Sequence, residues 1–356
     1  MRLHLLSFSA LGAFALGAFV ACGDETIPGN TGGGGASSST TASSSVASTG
    51  SGGATSSSGA GGSVGGSSAP SDLGVEIVGG EVELAWKAPT SPAYPNVRVV
   101  RTLNAPPSGP DDPAATTVYS GSASAAVEDL RALTPDVPSA PRTYHYGVYG
   151  CTASATCDGG GVTASITPSL TTCLRGGGYT IFWRHASASV CADRLDLGTA
   201  ATTSVPGWWK SCDASCPAGM TATATARQLN ATGEDEATAI GTTMKARGIP
   251  VGRVLASEFC RCMKTAELMS FGPAIEPSPD ITYYVYDEAN RCAKSMDLLA
   301  EAPAAGGNTA LVSHAGFTCP TLDALAWGEA AIYKPDGAGG TSLVARVLWD
   351  QWATLP

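Results

Sequence analysis

The chain has 356 residues, of which 14% are charged, and a net charge of −10 from 20 Lys and Arg against 30 Asp and Glu. Charge well below the usual share of about 25% excludes a coiled coil or a charged disordered chain. The acidic balance excludes a global electrostatic grip on DNA or RNA, which needs a basic field, so no nucleic-acid partner is expected.

Residues 1–21 read as an export signal, with Met1-Arg2 as a positive start and an apolar stretch from Leu3 to Val20 broken by small residues. No second apolar run of about eighteen residues follows, so nothing else in the chain is long enough to span a membrane. The segment Phe19-Val20-Ala21-Cys22-Gly23 resembles the lipobox of bacterial lipoproteins, although Phe19 stands where Leu is usual. The resemblance implies cleavage before Cys22 and a lipid on its sulfur. The expected location is then the bacterial cell envelope, periplasmic or outer surface, with the membrane as partner through Cys22. Plain secretion is the alternative. Residues 22–70 are expected to be a disordered linker, because 31–70 contain only Gly, Ser, Thr, Ala, Val and a final Pro and cannot bury enough surface to fold. A flexible coil of forty residues spans on the order of 35 Å.

Of eleven Cys, Cys22 aside, Cys151 and Cys157 lie in the middle of the chain and eight lie after residue 170. Both counts are even, which predicts disulfide pairing within each region in an oxidising compartment. Cys151–Cys157 is the one pairing that follows, because eight cysteines allow 105 arrangements. Zinc at Cys212-x3-Cys216 or at Cys260-x-Cys262 is disfavoured by the lack of a nearby His, and no cofactor is expected.

Residues 71–169 show short alternating runs, Val82 to Trp86, Asn96 to Leu103, Thr143 to Tyr149 and Val162 to Ile166, separated by Pro- and Gly-rich stretches. That pattern predicts a small all-β sandwich. It resembles a fibronectin type III domain, with Trp86 as core Trp and Leu133-Thr134-Pro135 leading to Tyr144, Tyr146 and Val148. These are packing features, and His145 between two Tyr is read as structural. A surface ligand of the sandwich is left open.

Residues 171–356 alternate strand-like and helix-like pieces, which predicts an α/β fold of three layers on a mostly parallel sheet. Expected strands are Tyr179–Trp183, Arg253–Ala256, Thr309–Ser313 and Ser342–Leu348; expected helices are Gly233–Arg247, Met263–Phe271 and Gly316–Trp327. The first strand ends in Arg184-His185, the second leads to Ser257 and Arg261, and the third ends at His314. Ligands bind beyond the carboxyl ends of strands in such sheets, so two His and two Arg converge on a site suited to a doubly charged phosphate.

Four ordered landmarks carry a resemblance to the histidine phosphatase (phosphoglycerate-mutase-like) superfamily: Arg184-His185-Ala186; Leu229-x3-Gly233; Ser257-x3-Arg261 with Thr265-Ala266; and Val312-Ser313-His314. Gly328-Glu329-Ala330, a last strand and Trp352 fit as well. The resemblance implies that His185 attacks phosphorus and becomes a phosphohistidine, while Arg184, Arg261 and His314 hold the phosphoryl oxygens. Independently, two guanidiniums disfavour protonation of a nearby imidazole and neutralise an incoming phosphate, so the chemistry requires no metal. No copy of the family's leaving-group acid motif is present. Glu288, 27 residues after Arg261, is the candidate acid, ahead of Asp287 and Glu258, and each could instead be a helix-start charge. Arg227 either reaches the site or stays on the surface. Cys260 and Cys262 are expected to brace Arg261 by disulfides.

The sequence thus predicts an exported phosphatase acting on a phosphorylated small molecule or other phosphoester. Its rival is a surface adhesion lipoprotein in which the sandwich acts and the phosphatase fold is degenerate.

Overall fold

The computed structural model describes residues 66–78, 80–137, 140–212, 226–315, 319, 322 and 324–356. Cys22, Cys216 and most of the linker lie outside these residues. Residues 66–70, expected as linker, pack on the sandwich instead: the Ser67 amide donates to Thr90 Oγ1 at 2.7 Å, and Pro70 is buried.

Seven strands form two antiparallel sheets: β1 (Ser71–Val78), β2 (Glu81–Lys87), β3 (Asn96–Leu103), β4 (Thr116–Gly121), β5 (Ala125–Asp129), β6 (Tyr144–Cys151) and β7 (Gly161–Ile166). Their orders are β1-β2-β5 and β4-β3-β6-β7. Alternation drives the packing, since Val82, Leu84 and Trp86 of β2 face Val97, Val99, Tyr146 and Val148 of the other sheet, and every second residue of β2 is exposed. Cys151 and Cys157 are disulfide-bonded at the end of β6.

The remaining elements are α1 (Leu170–Gly176), β8 (Thr180–Arg184), β9 (Ala188–Val190), β10 (Gln228–Leu229), α2 (Ala231–Ala246), β11 (Val251–Ala256), α3 (Cys260–Met269), β12 (Ile275–Pro277), α4 (Arg291–Ala300), β13 (Asn308–Ser313), β14 (Ala330–Pro335) and β15 (Thr341–Val347). The main sheet runs β12-β11-β13-β8-β14-β15, parallel from β12 to β8 and antiparallel over β14 and β15. Its strands alternate between two buried faces. Ile181, Trp183, Val254, Ala256, Ala310 and Val312 pack with α2 and α3, whereas Phe182, Leu255 and Leu311 pack with Leu299 of α4. Burial on both faces is why these strands read as continuous apolar runs. Helices α2 and α3 touch closely: a Cβ added at Gly241 would lie 1.9 Å from the Met269 carbonyl oxygen. Trp352 is fully buried and stacks on Trp183 at 5.8 Å.

Leu130, Leu133 and Tyr144 of the sandwich side belong to one buried cluster with Leu170, Leu174 and Tyr179. Two expectations are corrected. The expected helix Gly316–Trp327 is absent at its described residues, which are turns or irregular. The Ala326 amide, which such a helix would pair internally, donates instead to Glu329 Oε2 at 2.6 Å, and Arg184 Nη1 donates to the Leu325 carbonyl at 2.8 Å. Complete pairing of the eight later cysteines also fails. Cys212–Cys260 and Cys292–Cys319 are bonded and Cys191 is disulfide-bonded, but Cys173 and Cys262 are buried free thiols.

Candidate active site

Strand β8 delivers Arg184 and then His185 at its carboxyl end, between β13 and β14. The His185 amide donates to the Ser313 carbonyl at 2.8 Å and the Gly328 amide donates to the His185 carbonyl at 3.2 Å, which fixes the backbone on both sides. Next, α3 begins at Cys260, so Arg261 stands in its first turn, and β13 ends at His314. His185, Arg261 and His314 are buried, Arg261 to 1% exposure.

Arg261 joins the two histidines. Its Nε–H donates to His185 Nε2 at 3.1 Å and its Nη2 donates to His314 Nδ1 at 3.2 Å. These bonds set both tautomers. His185 must carry its proton on Nδ1, where it donates to the Ala186 carbonyl at 2.8 Å, leaving Nε2 as a lone pair facing the guanidinium. His314 must carry its proton on Nε2, where it donates to Ser257 Oγ at 2.9 Å. Burial first, and then the charges of Arg261, Arg184 and Arg227, hold the His185 imidazole well below its ordinary pKa. Burial, then Arg261, His185, Arg291 and Arg227, do the same at His314. Two neutral, oriented imidazoles result.

The remaining landmarks have physical reasons. Thr265 Oγ1 accepts the Ala186 amide at 3.2 Å and donates to the Arg261 carbonyl at 2.7 Å, tying the residue after the nucleophile candidate to α3. Asn230 caps α2 by accepting the Gly233 amide, and its own amide donates to the Ser187 carbonyl at 3.2 Å. A Cβ at Gly233 would lie 2.0 Å from that same Ser187 carbonyl oxygen, so only glycine lets the helix approach this closely. Buried Glu236 then accepts the Ser187 amide at 2.8 Å and its hydroxyl at 2.7 Å.

Charge in the cluster is unbalanced. Arg227 reaches the site electrostatically, since its charge depresses Arg184, Arg261 and both histidines. The Nε atoms of Arg184 and Arg227 are buried and find no hydrogen-bond acceptor among the described residues. Against these three guanidiniums stands Asp193, whose Oδ1 accepts Arg261 Nη1 at 2.8 Å and the Arg227 amide at 2.9 Å. The sequence reading missed Asp193, because no spacing marks it; the nearest hint is Cys191, disulfide-bonded two residues earlier.

Each acid candidate is engaged by partners other than the two histidines. Glu288 is 50% exposed at the start of α4, paired with Arg291 and accepting the Tyr284 amide at 3.1 Å, which matches the helix-start alternative. Asp287 caps Asn290 and pairs with Lys294. Glu258 is consumed by Trp209 Nε1 at 2.9 Å, Tyr286 Oη at 2.6 Å and Lys210 Nζ at 3.0 Å. Cys260 braces Arg261 through Cys212, but Cys262 does not: its free thiol lies 3.5 Å from His314 Nε2, and burial pushes its pKa up to about 12, so it is no thiolate. His145, outward on β6 opposite Thr102, lies in the sandwich.

No family model matches the chain, and no curated protein matches it. Solved structures do align with it. The protein histidine phosphatase SixA complexed with tungstate aligns at 15% identity over 49% of this chain and 98% of that chain, TM-score 0.33. The alpha-ribazole phosphatase from Shigella flexneri aligns at 12% identity over 46% and 94%, TM-score 0.30. Phosphoserine phosphatase from Entamoeba histolytica, in complex with 3-phosphoglyceric acid, aligns at 12% identity over 47% and 95%, TM-score 0.30.

Proposed function

We propose that residues 171–356 form a phosphatase that hydrolyses a phosphate monoester through a phosphohistidine on His185 Nε2. One observation carries this reading: a neutral His185 with its Nε2 lone pair aimed at a guanidinium, inside a buried cluster holding more positive than negative charge. Such a cluster is stabilised by an anion, and a phosphate supplies both the charge and the acceptors for the Arg184 and Arg227 Nε–H groups. In the first step Nε2 forms a bond to phosphorus as the ester P–O bond breaks, and the departing alkoxide takes a proton from solvent, which regains one from the attacking water in the next step. In the second, water attacks phosphorus, the P–N bond breaks, and orthophosphate leaves a neutral His185. Arg184, Arg261 and His314 hold the oxygens on which charge concentrates. An adhesion protein on a degenerate fold would tolerate gaps among His185, Arg184, Arg261 and His314, and the presence of all four supports the enzyme reading.

We further read the sandwich as fibronectin type III-like, supported by its three- and four-stranded sheets and buried Trp86. Export is supported by the disulfides. Among the described residues no helix is long and apolar enough to cross a membrane. A lipid anchor on Cys22 remains our reading, and Cys22→Ser should then release the protein from the membrane fraction.

The phosphatase reading is tested by rapid acid-free quenching with a radiolabelled phosphoester. An acid-labile, base-stable adduct should form on the native chain and be absent in His185→Ala, with turnover lost. Full turnover by His185→Ala refutes it.

A further inference from the structure

Two aromatic groups adjoin the cationic cluster, and the chemistry above uses neither. One is Trp327, 38% exposed, whose ring lies 5.5 Å from the Arg184 guanidinium carbon. Its loop is stitched to the nucleophile strand through the Arg184–Leu325 and Gly328–His185 hydrogen bonds. The other is the Tyr283–Tyr284 pair. The Tyr283 ring lies 5.3 Å from that of His314, and the two tyrosine rings lie 3.8 Å apart. Tyr284 is 43% exposed although its backbone is left-handed, with φ of 58°, a conformation a bulky residue adopts only under constraint.

The constraint is visible. Glu288 accepts the Tyr284 amide and pairs with Arg291, and the Arg291 guanidinium packs 4.6 Å from the Tyr283 ring and 6.0 Å from the Tyr284 ring. Glu288 and Arg291 therefore position an aromatic pair that the local backbone would otherwise not present. Glu258, the nearby carboxylate, is engaged by Trp209, Tyr286 and Lys210.

Resting on the phosphatase reading, we propose that Trp327 and the Tyr283–Tyr284 pair flank the phosphate cluster as the walls of a cleft that selects phosphoesters bearing a planar aromatic ring at or next to the ester oxygen. The phosphoryl group meets Arg184, Arg261 and the histidines, and the ring stacks against the exposed aromatic faces.

Phosphonates, which are not turned over, separate this recognition from leaving-group chemistry. Calorimetry on the full chain should show benzylphosphonate binding at least about 10-fold tighter than methylphosphonate, a gain expected of one or two stacking contacts. The ratio should fall to about 2 in Trp327→Ala and in Tyr284→Ala and be largely retained in Trp327→Phe, which keeps a ring and guards against mere misfolding. Equal affinity of the two phosphonates for the native chain overturns the aromatic cleft while leaving the phosphatase reading standing. A preference that survives both alanine variants overturns the assignment of these walls. Absence of binding by both phosphonates and by orthophosphate overturns this proposal together with the phosphatase reading.

Discussion

Two buried ionic clusters in this chain use the same residue types and do opposite things. In the sandwich, Arg101 pairs with Glu128, which also accepts Tyr146 Oη at 2.8 Å, and the two side chains are 13% and 11% exposed. Within that pair one cation meets one anion and each is hydrogen-bonded. In the α/β region, Arg261 pairs with Asp193, but Arg184 and Arg227 add positive charge and leave guanidinium nitrogens unsatisfied. A balanced buried pair is a packing device, whereas an unbalanced one, under the proposed function, is what a phosphate would neutralise.

The comparison can be broken most sharply at the two arginines that anchor it. Arg261→Ala should lower kcat/KM for an aryl phosphate by about 1,000-fold or more, as loss of a main charge-stabilising donor does, and should weaken orthophosphate inhibition; a loss under tenfold denies Arg261 that role. Arg101→Met should act on stability alone. It strands a largely buried Glu128 and should cost about 3 kcal/mol in urea unfolding, with turnover per folded molecule within about twofold of native. A large drop in turnover would tie the sandwich to the chemistry and erase the contrast.

Asp193 sharpens the comparison at intermediate size. Asp193→Asn keeps an acceptor for the Arg227 amide but removes the charge that holds the Arg261 plane. It should lower kcat about 10-fold, the worth of one charge-assisted hydrogen bond, with KM moving less and Asp193→Glu partly restoring the rate. An unchanged kcat would make Asp193 only a loop brace.

The smallest effect is a pH shift. His185 must be neutral to attack, and its pKa is held below the usual value of about 6.5, so the acid limb of kcat/KM should lie below pH 6.5. Arg184→Gln removes a repelling charge, raises that pKa and should move the limb upward; a downward move contradicts the electrostatics. Linkage has a definite sign here. The unfolded chain protonates His185 and His314 first, so stability is full above pH about 6.5 and declines as pH falls through the depressed folded values. Urea midpoints at pH 7.5 and 5.5 check it.

Much of this was legible in the sequence, because the physics involved is local and periodic. Strands β8, β11 and β13 are apolar runs that can only be buried on both faces, and Arg184-His185, Arg261 and His314 stand where those runs or their following turns end. Helix α2 was legible at its start through the acidic first turn and at its end through the Gly248-Ile249-Pro250 stop. Contacts between distant segments were not legible. Gly233 is required by a carbonyl contributed from Ser187, far from it in the chain, and Asp193 matters only because Arg261 and Arg227 converge on it. Nor could cysteine parity show that Cys262 would be buried against His314 instead of bonded, and the apolar pattern of Gly316–Trp327 could not show that the Ala326 amide would go to Glu329. Periodicity and strand ends name the residues that can reach a site; which charges remain unbalanced there is decided by tertiary packing, because a charge's meaning depends on what the rest of the chain brings within hydrogen-bond reach.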